Sequence, residues 1–251
     1  MQFLKRIIAK KHRFSGELSP ERAFIAIGDI HGRADLMTRL LEKVASGPYA
    51  DLPIIFVGDY VDRGENSAIV LRDLMVRSQA APSGQLICLR GNHEEMMLNF
   101  IEDPVQHGPR WLRYGGLETM ASFKAPFVAQ TAPEDEWIAA RDVLVEAMTQ
   151  DMIRWLYALP AWWQTGNIAV VHAGADPKLP MIEQDENVLV WGHRRFDEED
   201  RTDGLWIVHG HTIVDNAIAE SGRISVDTGA YATGTLSAAV VRPGDVSFLV
   251  A

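Results

Sequence analysis

Apolar residues along the first hundred positions fall into short runs that are separated by stretches with helical spacing. Runs such as AFIAIG and PIIFVG indicate buried strands, whereas ADLMTRLLEKVAS places its aliphatic side chains on one helical face. This β-α-β-α-β order predicts a parallel sheet covered by helices. The predicted strands span 23–28, 53–58 and 85–90, and the predicted helices span 34–46 and 67–79.

The remaining sequence has a mostly helical segment followed by further strands. Residues 94–159 keep helical spacing between proline and glycine breaks, and we predict that they form a helical cap inserted in the domain. The last four predicted strands are short and separated by tight turns, which indicates antiparallel pairing. We predict an α/β fold, a two-sheet mixed β-sandwich flanked by helices, with residues 21–251 as a single domain. The later predicted strands span 168–174, 205–211, 216–220, 223–227, 236–241 and 246–250.

Composition is that of a soluble globular protein, with 47% hydrophobic and 23% charged residues. No apolar run approaches the length of about 18 residues that spans a bilayer, and the N-terminus lacks the apolar core of a signal peptide. The single cysteine, Cys88, excludes an internal disulfide and lies in an apolar run typical of a buried strand. These features predict a cytoplasmic protein.

The net charge of −10 disfavours binding to nucleic acid and to anionic membranes. An enzyme with this net charge that acts on phosphate needs local positive charge at its site, from metal ions or from arginine side chains. The N-terminus is an exception to the overall charge, since residues 1–20 contain a cluster of lysines and arginines. We predict that this segment is a basic, solvated arm without stable membrane insertion.

Polar side chains follow five predicted strands at the point where each strand ends. Any one of these loops alone is an ordinary turn. Because ligands of open α/β sheets lie beyond the carboxyl ends of the strands, we expect the five loops to form one site. The residues are Asp29 and His31, then Asp59, Asp62 and Arg63, then Asn92 and His93, then His172, and finally His209 and His211.

The side-chain types in these loops predict a metal centre. Carboxylate, amide and imidazole ligands without thiolates suit Mn²⁺, Fe or Zn²⁺. The ligands are too many for one ion, whereas two ions roughly 3.5–4 Å apart that share a carboxylate would use them all. We therefore predict two divalent ions, with Mn²⁺ favoured.

The loop sequences GDIHG, GDYVDRG, GNHE, HAG and GHT occur in this order between Gly28 and Thr212. Together they resemble the calcineurin-like metallophosphoesterases. GDYVDRG narrows the resemblance to the phosphoprotein-phosphatase branch, which includes the bacteriophage lambda phosphatase, bacterial serine/threonine protein phosphatases and symmetrical diadenosine-tetraphosphate hydrolases. The segment WLRYGGLETM (111–120) also resembles a segment near the substrate opening of bacterial members.

The resemblance implies a role for each loop residue. His93 would be the general acid that protonates the leaving oxygen, and Asp62 would orient His93. Arg63 would clamp the phosphate with its planar guanidinium. The implied metal ligands are Asp29, His31 and Asp59 for one ion, and Asp59, Asn92, His172 and His211 for the other.

One segment departs from the family pattern. Related bacterial sequences usually have Trp-x-Arg where this chain has VWGHRRF, so His193 stands where a second phosphate-binding arginine is expected. Either Arg194 or Arg195 could supply the charge after a local shift, and we favour Arg195. The predicted phosphate-binding residues are thus Arg63, Asn92 and Arg195.

The resemblance implies a hydrolase that cleaves phosphomonoesters by direct attack of metal-bound hydroxide, and we favour phosphoserine or phosphothreonine in proteins as its substrate. One alternative is a hydrolase of diadenosine tetraphosphate or a related nucleotide. A remote alternative is a non-catalytic phosphate-binding module, which would have no use for a general acid.

Several other polar residues have simpler expected roles. Asp227 and Tyr231 are expected in a turn, although the loop could approach the site. His209 is expected to be structural rather than a metal ligand. Glu94 and Glu95 follow the GNH motif and are expected to stabilise the start of a helix through its dipole.

Overall fold

We describe residues 14–251 of the chain in a computed structural model. Within this range the chain first alternates between strands and helices, through three strands and two helices, and then becomes mainly helical before the second set of strands. The strands are β1 (Phe24–Ile27), β2 (Ile54–Phe56), β3 (Leu86–Cys88), β4 (Trp162–Thr165), β5 (Ile168–Val171), β6 (Trp206–His209), β7 (Ile218–Glu220), β8 (Arg223–Ser225), β9 (Ser237–Arg242) and β10 (Asp245–Val250).

Helices occupy the crossovers of the first sheet and the long segment between the sheets. They are α1 (Ala34–Ser46), α2 (Ser67–Ala80), α3 (Asn92–Glu102), α4 (Pro104–Trp111), α5 (Leu117–Ser122), α6 (Glu134–Met148), α7 (Gln150–Tyr157), α8 (Glu186–Trp191) and α9 (Ala230–Thr233). A π-helical turn, Leu112–Gly116, joins α4 to α5, and a 3₁₀ turn, Met181–Glu183, precedes α8. The helical segment predicted for 94–159 therefore begins two residues earlier, at the start of α3.

The strands form two five-stranded sheets, with the orders β10-β9-β1-β2-β3 and β4-β5-β6-β8-β7. β1, β2 and β3 are parallel, as the sequence predicts, because α1 and α2 provide the crossovers. The four last strands form two antiparallel hairpins, and these hairpins join different sheets. The two-sheet mixed sandwich is the predicted architecture.

Successive side chains of each strand point to opposite faces of its sheet, so the core is divided into layers. In β1, Ile25 and Ile27 face the helices, whereas Phe24 and Ala26 face the interior between the two sheets. In β5, Ile168 and Val170 join the same interior, and the intervening residues pack on the outer layer with α8. The layer order is therefore helices, sheet, sheet and helices, and the carboxyl ends of the central strands reach the same end of the sandwich.

Two features were not foreseen from the sequence. β4 pairs antiparallel with β5, with Trp162 opposite Val171, although no strand was predicted there. The sequence did not reveal β4 because it is an edge strand of only four residues and because its two tryptophans pack on different layers. Residues 14–20 of the predicted arm lie on the second sheet, where the Phe14 ring is 5.0 Å from the Trp206 ring.

The predicted character of residues 1–13 lies outside the described residues. Within residues 14–251, no helix combines the length and the apolar character needed to cross a bilayer.

Candidate active site

The predicted loops come together at the carboxyl ends of β1, β2, β3, β5 and β6. Asp59, which follows β2 of the first sheet, has its Oδ1 3.3 Å from Nε2 of His172 of the second sheet. The backbone N–H of His211 donates to Oδ2 of Asp29, 3.0 Å away. The two sheets therefore contribute to a single site, as the strand-end argument predicts.

Backbone conformation at the site is unusual for residues other than glycine. Left-handed φ values cost on the order of 1–3 kcal/mol each and persist only where the surrounding structure enforces them, most often at functional sites. Five predicted site residues have such values: His31 (45°), Asp59 (53°), Asp62 (73°), Arg63 (68°) and His211 (64°).

Glu94 holds two of these loops together, a role beyond the helix start predicted for it. Its buried carboxylate accepts the backbone N–H groups of Gly91, Asp59 and Tyr60 at 2.9, 2.8 and 2.7 Å. Burial, followed by the charge of Asp59, raises the pKa of Glu94 to about 7. The sequence offers no signal that separates Glu94 from the adjacent Glu95, whose Oε1 instead accepts the indole N–H of Trp191.

Two groups of potential metal ligands meet at Asp59. His31, Asp59 and His93 form one group, and Asp59, His172 and His211 form the other. Within each group the potential ligand atoms lie within 4.8 Å of one another. Asp59 is the shared member, since its Oδ2 is 3.5 Å from His31 and its Oδ1 is 3.3 Å from His172. A carboxylate with one oxygen toward each group has the geometry of a bridging ligand.

Asp29 and Asn92, the other two predicted ligands, have surroundings that suit a cation. Oδ1 of Asp29 is buried without a hydrogen-bond partner, which is unfavourable for a carboxylate unless a cation contacts it. Burial and the nearby charges of Asp227 and Asp59 raise the pKa of Asp29 well above its ordinary value. The amide oxygen of Asn92 lies 2.9 Å from both His172 Nε2 and His211 Nδ1. These oxygen and nitrogen donors, without thiolates, fit two divalent ions.

The protonation of two imidazoles also suits metal binding. Burial lowers the pKa of His31 to about 3, and burial together with the charge of His172 lowers the pKa of His211 to about 4. Both rings are therefore neutral at pH 7, which is the form that ligates a metal.

A buried carboxylate fixes the orientation of His93. Nδ1 of His93 is 2.6 Å from Oδ2 of Asp62, so Nε2 points away from Asp62. Asp62 is itself held by the indole N–H of Trp111 at 3.0 Å and by the hydroxyl of Thr119 at 2.7 Å. Burial opposes the charged form of His93, but the charges of Asp59 and Asp62 outweigh it and raise the pKa. In this arrangement His93 can carry a proton, and its Nε2, the ring nitrogen that does not contact Asp62, faces away from that carboxylate.

The segment WLRYGGLETM provides this support, which its sequence alone did not reveal. Trp111 ends α4 and Thr119 lies in α5, so the π-helical turn between them brings both side chains onto Asp62. The turn also contacts the loop after β2 directly, since the N–H of Arg63 donates to the carbonyl of Gly115.

The guanidinium of Arg63 contacts two histidines of the site. Its Nη1 lies 3.1 Å from Nε2 of His31, and its Nη2 lies 3.1 Å from Nε2 of His93. The guanidinium also stacks on the ring of Tyr231, 4.7 Å from the ring centre. Arg63 therefore lies next to both the ligand cluster and the free nitrogen of the proposed acid.

Arg195 occupies a loop that packs beside the second sheet. Its N–H donates to Nδ1 of His193, and its Nε is 3.6 Å from Glu199. His193 in turn lies 3.5 Å from Asp176. In the part of the chain that we describe, the hydrogen bonds and ion pairs of Arg195 do not include the six predicted metal ligands. The role of Arg195 stays a prediction.

Two residues expected in a turn also lie at the site. Asp227 is buried and its charge contributes to the raised pKa of Asp29, while its Oδ1 accepts the N–H of Gly229. Tyr231 packs its ring edge on His31 with the ring centres 5.4 Å apart. Their approach depends on β8 lying beside β6, a pairing that the local sequence does not encode. His209 stays apart, with Nε2 2.9 Å from the Ser225 hydroxyl.

Comparison with known proteins agrees with this geometry. The sequence profile of the calcineurin-like phosphoesterases matches residues 23–215. Serine/threonine-protein phosphatase 2 of Escherichia coli (strain K12) is 27% identical over 223 residues, which cover 84% of this chain and 89% of that protein. An asymmetrical bis(5'-nucleosyl)-tetraphosphatase of Bacillus velezensis is 26% identical over 233 residues, which cover 82% of this chain and 84% of that protein.

The fold is also found in solved structures. The crystal structure of a cold-active protein-tyrosine phosphatase from a psychrophilic Shewanella species superimposes with a TM-score of 0.59 and 17% sequence identity, covering 93% of this chain and 83% of that chain. The predicted fold class and the predicted hydrolase class are confirmed, because the family profile spans most of the chain. The chain belongs to the calcineurin-like phosphoesterase family.

Proposed function

We propose that the protein hydrolyses phosphomonoesters with two divalent ions, and that its substrates are proteins phosphorylated on serine or threonine. The observation that carries the proposal is the position of Asp59, which is shared by two ligand groups and lies beside the Asp62–His93 pair. Support for the substrate comes from the serine/threonine phosphatase of Escherichia coli, which matches the chain over most of both lengths.

The proposed ligands follow from the arrangement of the site. One ion would be held by Asp29, His31 and Asp59, and the other by Asp59, Asn92, His172 and His211. When bound, such ions activate water at neutral pH and neutralise phosphate oxygens. The oxygen and nitrogen donors favour Mn²⁺, with Fe or Zn²⁺ as the other candidates. We further propose a cytoplasmic location, with which the single, buried thiol of Cys88 is consistent.

The protein's own side chains would orient the phosphate and handle the proton. Arg63 and Asn92 bind phosphate oxygens, and the contacts of Arg63 with His31 and His93 give way to the substrate. His93 donates the proton on Nε2 to the leaving oxygen, while Asp62 stabilises the charged imidazole and fixes its orientation. This use of His93 argues against a non-catalytic binding module, since such a module gains nothing from a buried, oriented proton donor.

A second candidate substrate is a dinucleoside polyphosphate. It is supported by the tetraphosphatase of Bacillus velezensis, which matches the chain over a similar length. The same ligands and the same acid would serve, because either substrate presents a phosphorus atom to water and an oxygen to be protonated.

The substrate is tested by phosphate release from a phosphoserine peptide and from p-nitrophenyl phosphate, and by the formation of mononucleotides from diadenosine tetraphosphate, each with Mn²⁺ and with chelator. We expect metal-dependent release from the peptide at a higher kcat/KM than cleavage of the nucleotide. Faster cleavage of the nucleotide would reverse the order of the two candidates.

The phosphate-binding role of Arg195 predicts a loss in the Arg195→Ala variant. A charge-assisted hydrogen bond contributes about 1.5–3 kcal/mol, so we expect kcat/KM for a phosphomonoester to fall by roughly 10- to 100-fold. Arg194→Ala is the matched control, since Arg194 is the exposed neighbour. Unchanged kinetic constants in Arg195→Ala would show that another cation binds the phosphate.

A further inference from the structure

The two sheets end in four edge strands, and β10 is the longest of them. β10 has six residues, whereas the other edge strands, β3, β4 and β7, have three or four. Proteins usually blunt a sheet edge with charges, a proline or a short strand, because an unpaired edge binds other strands. The segment Val246–Val250 contains no charge and no proline, and β9 is its only strand neighbour among residues 14–251. β10 therefore presents an open edge.

The pairing of β10 with β9 determines which backbone groups point outward. Beyond the end of β10, Ala251 and Leu236 exchange both of their backbone hydrogen bonds, at 2.9 and 3.1 Å. Bonded and non-bonded pairs alternate along an antiparallel ladder. Val246, Phe248 and Val250 therefore direct their N–H and C=O groups away from β9, toward the open edge.

Opposite charges lie at the two ends of this edge. At one end the ammonium of Lys43, on α1, donates to the outward carbonyl of Val250 at 2.7 Å. At the other end the side chain of Asp245 is 65% exposed. Leu249 packs on the core beneath the helices, so side-chain alternation places Asp245 on the same face of the sheet as α1. The positive and the negative group thus share one face.

We propose that β10 is a homodimer interface, at which the β10 strands of two copies pair antiparallel about a twofold axis through Phe248. In this register Phe248 lies opposite Phe248 of the partner subunit, and Val246 lies opposite Val250 of the partner subunit. All three outward N–H groups and all three outward carbonyls then gain a partner. Val250, which is 46% exposed, is covered by the pairing. The first sheets of the two copies become one continuous sheet.

The charges favour a second copy of this chain over an unrelated strand. A twofold axis perpendicular to the sheet keeps the helices of both copies on one face. Asp245 of the partner subunit then lies opposite Ala251 and beside the ammonium of Lys43. This ammonium is released for it when the carbonyl of Val250 accepts the N–H of Val246 of the partner subunit. Symmetry repeats the ion pair at the other end, so one copy supplies both members of the complementary set.

Charge reversal tests the register. The mass of the full chain is measured by sedimentation and light scattering at increasing protein concentration, and we expect a monomer–dimer equilibrium. Lys43→Glu and Asp245→Lys should each raise the dimer Kd by roughly 10- to 100-fold, since each turns two attractions into two repulsions. The double variant should regain the wild-type Kd. Arg39→Glu, an exposed change on the same helix, is the matched control and should leave Kd unchanged.

A proline tests the backbone pairing. Val250→Pro removes an outward N–H and leaves the bonds to β9 in place, because proline is tolerated where the N–H of an edge strand faces solvent. Two hydrogen bonds are lost by symmetry, so we expect Kd to rise by about 10- to 100-fold. Val250→Ala is the matched control, since it shortens the same side chain but keeps the N–H, and we expect a smaller rise in Kd.

Hydrogen exchange identifies what covers the edge. The amides of Val246 and Phe248 should be protected at high protein concentration and exchange faster on dilution, whereas the inward amide of Ser247 should stay protected. Protection of the outward amides that does not change on dilution would overturn the proposal, because residues of the same chain would then cover the edge.

Three further results would contradict the interface. They are a wild-type chain that stays monomeric up to roughly 0.1 mM, a dimer that Val250→Pro leaves intact, and a double charge-reversal variant that does not regain the wild-type Kd. None of these measurements uses phosphate release, so the interface and the proposed function can fail independently.

Discussion

Replacing His93 with asparagine is expected to lower kcat for a phosphoserine peptide by about 10²- to 10⁴-fold, the usual contribution of a general acid. Asparagine is similar in size and polarity but has no proton to donate at the position of Nε2. The Asp62 carboxylate, which is 2.6 Å from His93 Nδ1, would still be held by Trp111 and Thr119. The local structure should therefore survive while the proton transfer is lost.

The leaving group provides a specific signature of this role. A tyrosine phenol has a pKa of about 10 and leaves more readily than the alkoxide of serine. The loss caused by His93→Asn should therefore be smaller for a phosphotyrosine peptide than for a phosphoserine peptide. The measurement is kcat for both peptides, with the bound metal content determined on the same samples.

A matched control is His107→Asn, which changes a histidine of α4 outside the site. We expect its kcat to equal that of the wild type. Turnover of His93→Asn at the wild-type rate, with both ions bound, would exclude His93 as the acid. A loss of bound metal in that variant would instead assign His93 to the ligands, since its ring belongs to one of the two groups around Asp59.

Replacing Asp59 with asparagine is also expected to have a large effect, because both ligand groups depend on this side chain. The neutral amide removes a negative charge from between the two proposed ions. Loss of several kcal/mol of electrostatic stabilisation corresponds to a decrease in kcat of about 1000-fold or more. Bound Mn²⁺ should fall below two ions per chain.

Thermal unfolding checks this prediction independently of activity. A ligand that binds only the folded state raises Tm as its concentration increases. We expect Mn²⁺ to raise the Tm of the wild type and to have little effect on Asp59→Asn. Asp197→Asn, a change in the exposed acidic loop, is the matched control and should behave as the wild type. Full metal content and full activity in Asp59→Asn would be incompatible with a bridging role.

The sequence predicts the site well because each functional loop directly follows a strand. Asp29, Asp59 and Asn92 need only a buried strand shortly before them to reach the same edge. Apolar periodicity locates these strands, and the order of the strands follows from the crossover helices. For this reason the three parallel strands β1, β2 and β3 of the first sheet could be predicted from the sequence, together with a site at the ends of the strands.

The residues that support the site are harder to foresee because they depend on contacts between distant segments. Glu94 looks like an ordinary residue of a first helical turn, and only the closeness of the loop after β2 gives its carboxylate backbone N–H partners there. Trp111 and Thr119 reach Asp62 from positions 49 and 57 residues away along the chain. Such pairings depend on tertiary packing, which hydrophobic spacing does not encode.

The loop from Asp227 to Tyr231 shows the same limitation. The local sequence DTGAY indicates a turn, and Gly229 has the left-handed φ of 67° that such a turn requires. The turn is present, but β8 lies parallel to β6 and carries it to the predicted metal ligands. Asp227 and Tyr231 thus belong both to a turn and to the site, and the strand order is what brings them there.

The most direct test of the central claim is phosphate release by wild-type protein that has been completely stripped of metal and then titrated with Mn²⁺. The bound metal content is measured at each point, with the phosphoserine peptide as substrate. We predict no release without metal and full activity when two ions are bound per chain. Release that continues after complete removal of metal would contradict the dinuclear site built around Asp59.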